Sequence, residues 1–352
     1  MNKKEDISMK AEKGVYPKDR QILADILPID TPLSIDIHTN HFCNFKCNYC
    51  VLTQSDEKVR QAGFKREWMN WETFSLLVEQ MKQFPRKFKM ATMSGMGEAT
   101  IHPRIIDMVR TLSEANVTHK IQIISNAERL TPELSRQLID AGLGELKISL
   151  QGLSSKKYKE IADVDIDWNE FYKNICFFSS IRGKCALKIK IADTALEPGD
   201  EEKFYELFGD ICDAVDVEHI YDAWAVKGVD IDYHNLDTQE TRFHRPLIDN
   251  KICRYPFTSI DILPDGQYTT YCHIVFGFEK NIREKSLYDQ WNSVEQNKFR
   301  LAMLNGKDQF EACRRCTVIN NTYHPQDLLM GHEAEIRKRL IEMYSTQSLE
   351  EE

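Results

Sequence analysis

At 352 residues, with 42% hydrophobic and 29% charged side chains, the chain is long enough for one large globular domain and a smaller one. Its net charge of −9 argues against a nucleic-acid partner, whose affinity rests on basic patches. No apolar run approaches the roughly 20 residues of a membrane helix, and the charged start Met-Asn-Lys-Lys-Glu-Asp lacks a signal-peptide core. No membrane partner and a cytoplasmic location are therefore expected, where ten cysteines point to metal or redox use rather than disulfides.

Residues 1–30 are polar apart from Ile22, Leu23, Ile26 and Leu27, and read as an extension packed outside the main domain. Residues 34–38 alternate in period two, predicting a first strand that leads into Cys43-Asn-Phe-Lys-Cys47-Asn-Tyr-Cys50. Asn70 is a candidate N-cap for a helix over 71–84, with Phe74, Leu77, Val78 and Met81 on one face. A strand at 88–94, a helix at 104–115 and a strand at 120–125 follow. Thr131-Pro132 then opens a helix that ends at Gly142. Beyond it come strands at 145–150, 187–191 and 215–221, separated by helices at 168–181 and 201–212. Six strands alternating with helices over 34–224 predict a parallel sheet of β/α units, short of the eight in a closed barrel. From 236 the pattern changes. Two strands are expected within 253–276 around a Pro264-Asp-Gly266 turn, then a helix at 286–304, a cysteine pair, a helix at 331–345 and a disordered acidic tail. The expected domains are an extension (1–30), a core (31–235), a small second domain (236–330) and a C-terminal helix with its tail (331–352).

The C-x3-C-x2-C spacing places three thiolates within eight residues, with no fourth cysteine nearby. Three ligands to a four-iron cluster leave one iron open for chemistry. A structural zinc site is the alternative, although zinc usually takes four protein ligands. In parallel β/α sheets the functional residues lie in loops at the C-terminal strand ends, which selects Ser94-Gly95-Met96-Gly97-Glu98-Ala99, Ser125-Asn126 and Ser149-Leu-Gln-Gly152. Glycines let backbone approach a ligand closely, and Glu98 is suited to accept from an ammonium. Alternation puts Lys147, Ser149 and Gln151 on one inner face, beside Lys188 and Lys190. A buried lysine needs an anionic partner.

The cysteine spacing, with Tyr49 before the last cysteine, resembles the signature of the radical S-adenosylmethionine (radical SAM) enzymes. The resemblance implies a partial (β/α)6 TIM-like barrel and a [4Fe–4S] cluster on Cys43, Cys47 and Cys50, with SAM chelating the open iron. Residues 94–99 stand where the family carries a Gly-Gly-Glu-Pro-like motif that binds the SAM amino group, with Met96 replacing the second glycine and Ala99 the proline. Ser125-Asn126 resembles a pair near the SAM ribose, and Ser149-Leu-Gln-Gly resembles the family's Ser-Leu-Asp-Gly. The expected SAM site is thus Tyr49, Gly95, Met96, Gly97, Glu98, Ser125, Asn126, Ser149 and Lys190. The implied chemistry is reductive cleavage of SAM to a 5′-deoxyadenosyl radical that abstracts a substrate hydrogen, with a flavodoxin- or ferredoxin-type electron donor.

Cys253, Cys272, Cys313 and Cys316 form a second set, C-x18-C-x40-C-x2-C, able to ligate a second [4Fe–4S] cluster or a structural zinc. Cys253-Arg-Tyr-Pro-Phe257, Asp265-Gly266, Tyr271-Cys272 and Leu287-Tyr-Asp-Gln-Trp291 around it resemble the SPASM and Twitch auxiliary-cluster domains. No cysteine follows Cys316, which matches the one-cluster form. A fully ligated cluster accepts or relays electrons, so oxidation of a small polar or sugar-like substrate is expected. Modification of a peptide or protein is the second reading, and a non-catalytic iron–sulfur or zinc protein the third. Asp222 and Arg254, expected at the barrel mouth near Tyr221 and Trp224, are candidate catalytic or anchoring groups. Cys176, Cys185 and Cys212 are expected in structural roles.

Overall fold

The computed structural model describes residues 10–14, 20–231, 233, 239–270 and 280–350, with main chain alone for 225 and 344–350. Among the described residues ten strands form one sheet: β1 (Glu12–Lys13), β2 (Ser34–Ile37), β3 (Met90–Met93), β4 (Ile121–Ser125), β5 (Glu145–Leu150), β6 (Ala186–Ala192), β7 (Ala214–Glu218), β8 (Ser259–Ile262), β9 (Gln267–Thr269) and β10 (Lys280–Asn281). Their order is β1-β7-β6-β5-β4-β3-β2-β8-β9-β10. Strands β2 to β7 are parallel neighbours in chain order, which is the expected six-unit winding. β7 pairs with β1 and β2 with β8, so the sheet stays open as a partial (β/α)6 barrel.

Local signals place the helices. The Asn70 side chain accepts from the Thr73 amide at the start of Trp71–Met81, and Thr131 caps Pro132–Asp140 from the Leu134 amide. Ile35, Ile37, Leu146, Ile148, Leu187 and Ile189 are fully buried on the sheet's outer face with Phe74, Leu112, Ile175 and Phe204 of the helices. The inner face is polar. Thr92 lies beside Gln122 in register, Gln122 beside Glu145, Lys147 beside Lys188, and Ser149 beside Lys190. A period of two separates these faces, and a one-residue slip would exchange them.

Three features differ from the expectation. The strand ending the core stops at Glu218 rather than Tyr221. The 286–304 helix is two helices, Leu287–Trp291 and Val294–Met303, because Ser293 turns its side chain onto the Gln296 amide and starts a new one. The hairpin β8–β9 pairs directly with β2, so the second region extends the core sheet instead of standing apart.

The extension is a strap. Leu23, Ala24 and Leu27 are buried, Trp291 donates to the Ile29 carbonyl at 3.0 Å, and Arg339 of the C-terminal helix donates to the Ala24 and Asp25 carbonyls. That helix runs Glu333–Glu350, beyond the expected end at 345. Trp291 is fully buried beneath Arg300, whose guanidinium lies 4.2 Å from the ring centroid. Trp291→Ala is expected to destabilise the protein by about 3–5 kcal/mol, measured by denaturant titration. A loss below about 1 kcal/mol would show that strap and auxiliary region are not coupled through this ring. Among the described residues no helix is long and apolar enough to cross a membrane.

Candidate active site

A cavity of about 370 Å³ opens at the C-terminal ends of the parallel strands. Cys43, Cys47 and Cys50 line it, together with Tyr49, Gly95, Met96, Gly97, Glu98, Ser125, Asn126, Ser149 and Lys190. Twelve residues from five separate loops and strands, all selected from the sequence, thus meet in one chamber.

The loops are stapled to one another through their backbones. The Asn40 amide donates to the Glu98 carbonyl at 2.9 Å, its side-chain oxygen accepts from the Phe42 N–H at 2.8 Å, and the Glu98 N–H donates to the Phe42 carbonyl at 2.8 Å. This approach leaves no room for a side chain at Gly97, where φ is +111° and a Cβ would lie 2.5 Å from the Asn40 carbonyl oxygen. At Gly95, with φ +82°, a Cβ would strike the His38 ring. Met96 sits between the two and lines the chamber. Gly97→Ala is expected to cost about 1–3 kcal/mol through strain at positive φ and to lower iron bound at the cysteine loop. Unchanged iron content and melting would show that the staple yields without cost.

Glu98 is buried and serves as a clip. One carboxylate oxygen accepts from the Thr100 N–H, the Thr100 hydroxyl and the Ser125 hydroxyl at 3.0, 2.6 and 2.8 Å, and the other accepts from the Asn126 N–H at 2.7 Å. The second oxygen therefore retains room for a further donor, such as an ammonium. Burial raises the Glu98 pKa and the four donors oppose it. The Asn126 amide points at Asn44 (2.8 Å) and the Cys43 sulfur (3.8 Å), so this side chain faces the cysteine loop. Tyr49 donates to Gln151 and ties the same loop to the end of β5.

The chamber also holds groups that the sequence reading missed. Lys190 and Arg242 both reach one oxygen of Glu218, at 2.6 and 2.5 Å. Burial by itself would raise the Glu218 carboxyl, yet Arg242 and Lys190 hold it at about 2. Burial and then Arg242 push the Lys190 ammonium down, because two cations share one carboxylate. The other Glu218 oxygen is buried without a hydrogen-bond partner among the described residues. Running the strand to Tyr221 had placed Glu218 in its middle. It is the last strand residue, and it stands at the rim. An acid at an inward position one strand from Lys190 was the available signal.

The remaining candidates fall elsewhere. Lys147 and Lys188 line a second cavity of about 540 Å³ at the opposite strand ends, where Lys188 pairs with Glu145 at 3.1 Å. Arg254 lines that cavity too, 3.5 Å from Asp327 and over the Tyr255 ring. Asp222 accepts from the Trp224 N–H and the Tyr233 hydroxyl and faces neither cavity. Tyr221 and Trp224 do line the chamber. Cys185 and Cys212 are buried with their thiols on backbone carbonyls, and neither they nor Cys176 face the chamber.

In the second cysteine set Cys253, Cys313 and Cys316 are buried and close enough to interact electrostatically, while Cys272 lies outside the described residues. Lys307, itself buried, donates to the Cys313 and Arg314 carbonyls. The segment just after Cys316 touches the chamber wall at Arg242, whose N–H donates to the Asn321 carbonyl at 3.1 Å, and the Thr317 hydroxyl donates to the Asp222 carbonyl at 3.1 Å.

Residues 37–181 match the radical SAM superfamily, and residues 253–317 match SPASM, an iron–sulfur cluster-binding domain. The chain carries a radical SAM domain followed by a SPASM iron–sulfur domain. This radical SAM protein is 21% identical over 330 residues to the tungsten-containing aldehyde ferredoxin oxidoreductase cofactor-modifying protein of Pyrococcus furiosus, covering 78% of this chain and 85% of the relative. It is 30% identical to a GTP 3′,8-cyclase of Picosynechococcus over 119 residues, 34% of each chain. The fold is shared with BtrN in complex with AdoMet and 2-DOIA (16% identity, 84% and 97% of the two chains, TM-score 0.53). It is also shared with Streptococcus suis SuiB bound to SAM (17% identity, 85% and 74%, TM-score 0.57).

The superfamily binds SAM and a [4Fe–4S] cluster, and SPASM domains bind auxiliary iron–sulfur clusters. The residues present fit both groups. Burial pushes the Cys43 thiol up to about 12 and raises Cys47 and Cys50 as well, while the Phe45 N–H and the Asn126 amide point at the Cys43 sulfur. Three converging soft donors with N–H groups aimed at sulfur suit thiolates neutralised by iron. Burial likewise pushes Cys253 up to about 12, with Cys316 and Cys313 adding to it.

Proposed function

We propose that this radical SAM enzyme oxidises a small polar substrate, such as a polyol or an amino sugar, and passes the electron to the auxiliary site. The observation that carries this reading is the Lys190–Glu218–Arg242 group in the cysteine-lined chamber, with one buried Glu218 oxygen that has no hydrogen-bond partner among the described residues. Cys43, Cys47 and Cys50 would hold the cluster and Glu98 would face the SAM amino group, and together the two cofactors would supply hydrogen-atom abstraction from a substrate carbon. Glu218 accepts a hydrogen bond from the substrate's hydroxyl or amine and fixes which carbon faces that abstraction. Lys190 and Arg242 keep Glu218 anionic. Tyr49, Tyr221 and Trp224 narrow the chamber and exclude water and competing hydrogen donors. The Arg242–Asn321 contact joins the segment after the second cysteine set to the chamber wall, which supports a part for that set in the oxidation. The electron donor in this reading is a small flavodoxin or ferredoxin.

The test is anaerobic turnover of the reconstituted enzyme with a panel of polyols and amino sugars. The expected product is lighter by a pair of hydrogens, formed one for one with 5′-deoxyadenosine. A product of unchanged mass would overturn the oxidation. A second reading, modification of a peptide or of a partner enzyme's cofactor, draws support from the cofactor-modifying relative aligned over most of this chain. It predicts no turnover with any free small molecule.

A further inference from the structure

We propose that His219, Glu240 and His244 form a separate site for a divalent cation of the zinc class, beside the substrate chamber. Their ligand atoms lie within 4.8 Å of one another. The Glu240 carboxylate is 3.5 Å from His219 Nε2 and 3.7 Å from His244 Nδ1. Both separations are long for hydrogen bonds. They are close to the roughly 3.3 Å between neighbouring ligands of a tetrahedral zinc with bonds of about 2.0–2.1 Å.

The opposite nitrogen of each ring is already engaged. His219 Nδ1 meets the Asp193 carboxylate and His244 Nε2 the Val217 carbonyl. A carboxylate and a carbonyl can only accept, so those nitrogens carry protons, and in the neutral rings a metal takes, the two nitrogens facing Glu240 hold lone pairs. This is the arrangement that metal-bound histidines adopt, with the outer N–H held by a carboxylate or a carbonyl.

The backbone holds the ligands in place. The His219 N–H donates to the Arg242 carbonyl, the Thr241 N–H to the Arg245 carbonyl, and the His244 N–H to the Thr241 carbonyl. His244 is kept at φ +53°, an uncommon conformation for a residue with a side chain. Two carboxylates, Glu240 and Asp193, balance a dication. His219 lines both the substrate chamber and an adjoining cavity of about 970 Å³ that also carries Asp193 and His244. Glu240 and His244 are exposed, so a cation can enter. Three protein ligands leave a coordination position for water or for a substrate oxygen. The cation's role is to anchor an oxygen-rich substrate at the chamber rim.

The experiment uses iron-loaded protein, equilibrated anaerobically with zinc and desalted. Metal analysis and zinc K-edge absorption are read together. The expected result is a single zinc per chain beyond the iron, with a shell of nitrogen and oxygen only. Glu240→Gln and His244→Ala, both at exposed positions, lose that zinc and keep the iron. Asp193→Asn retains it with affinity about 10–100-fold weaker. No retained zinc, sulfur in its shell (capture by a cysteine set), or zinc retained unchanged in both ligand variants would each overturn the site.

Discussion

Cys43→Ala is expected to halve the iron of the reconstituted protein, from about eight to about four per chain, and to abolish 5′-deoxyadenosine formation. Cys43 lines the chamber, and its sulfur already collects the Phe45 N–H and the Asn126 amide. Removing it leaves Cys47 and Cys50, too few thiolates for a four-iron cluster. The second set is built on Cys253, Cys313 and Cys316, none of which lines the chamber, and keeps its iron. Cys185→Ser and Cys212→Ser are the controls, with thiols on backbone carbonyls away from the chamber. Their iron content and SAM cleavage are expected to match the parent. A Cys43→Ala protein that still cleaves SAM would remove this loop from the chemistry, and one that loses all its iron would show that the two sites assemble as a unit.

Glu218→Gln is expected to lower product formation about 100- to 1000-fold, the scale on which a positioned polar group acts on turnover. Iron content and slow substrate-free cleavage of SAM are expected to persist, because Glu218 touches neither the cysteines nor Glu98 through any hydrogen bond among the described residues. The variant also leaves Lys190 and Arg242 facing a neutral amide in a buried setting. Removing one member of such a group costs about 3 kcal/mol. The pH dependence has a definite sign. Glu218 is held at about 2, below its ordinary 4.5, so its contribution is fully present above about 4.5 and is lost as pH falls toward 2. The melting gap between parent and variant should therefore be constant near neutrality and close on acidification. An unchanged turnover, or a gap that widens in acid, would dismiss Glu218 as the anchoring group.

The sequence by itself determined the six parallel strands, the two cysteine sets and the loops that converge on the first of them. Those signals are local: alternation of period two, capping residues beside helices, and thiols a few residues apart. Ser34–Ile37 and Glu145–Leu150 could be read from their own side chains, and Gly95 and Gly97 from their place after a strand. The tertiary structure decided what depends on partners distant in the chain. Where β7 stops put Glu218 and His219 at the rim, and the register of β6 against β7 put Lys190 within reach of Glu218. Pairing of β8 with β2 joined the auxiliary region to the core, and the Asn40–Glu98 contact turned a glycine loop into a staple for the cysteines. Asp222 and Arg254 were placed by nearness in sequence to a strand end and a cysteine, and that criterion is blind to side-chain direction. Charge pairs across strands and loop-to-loop backbone bonds form only once the sheet has set each strand's register, which is why Glu218 became legible in the fold and not in the chain.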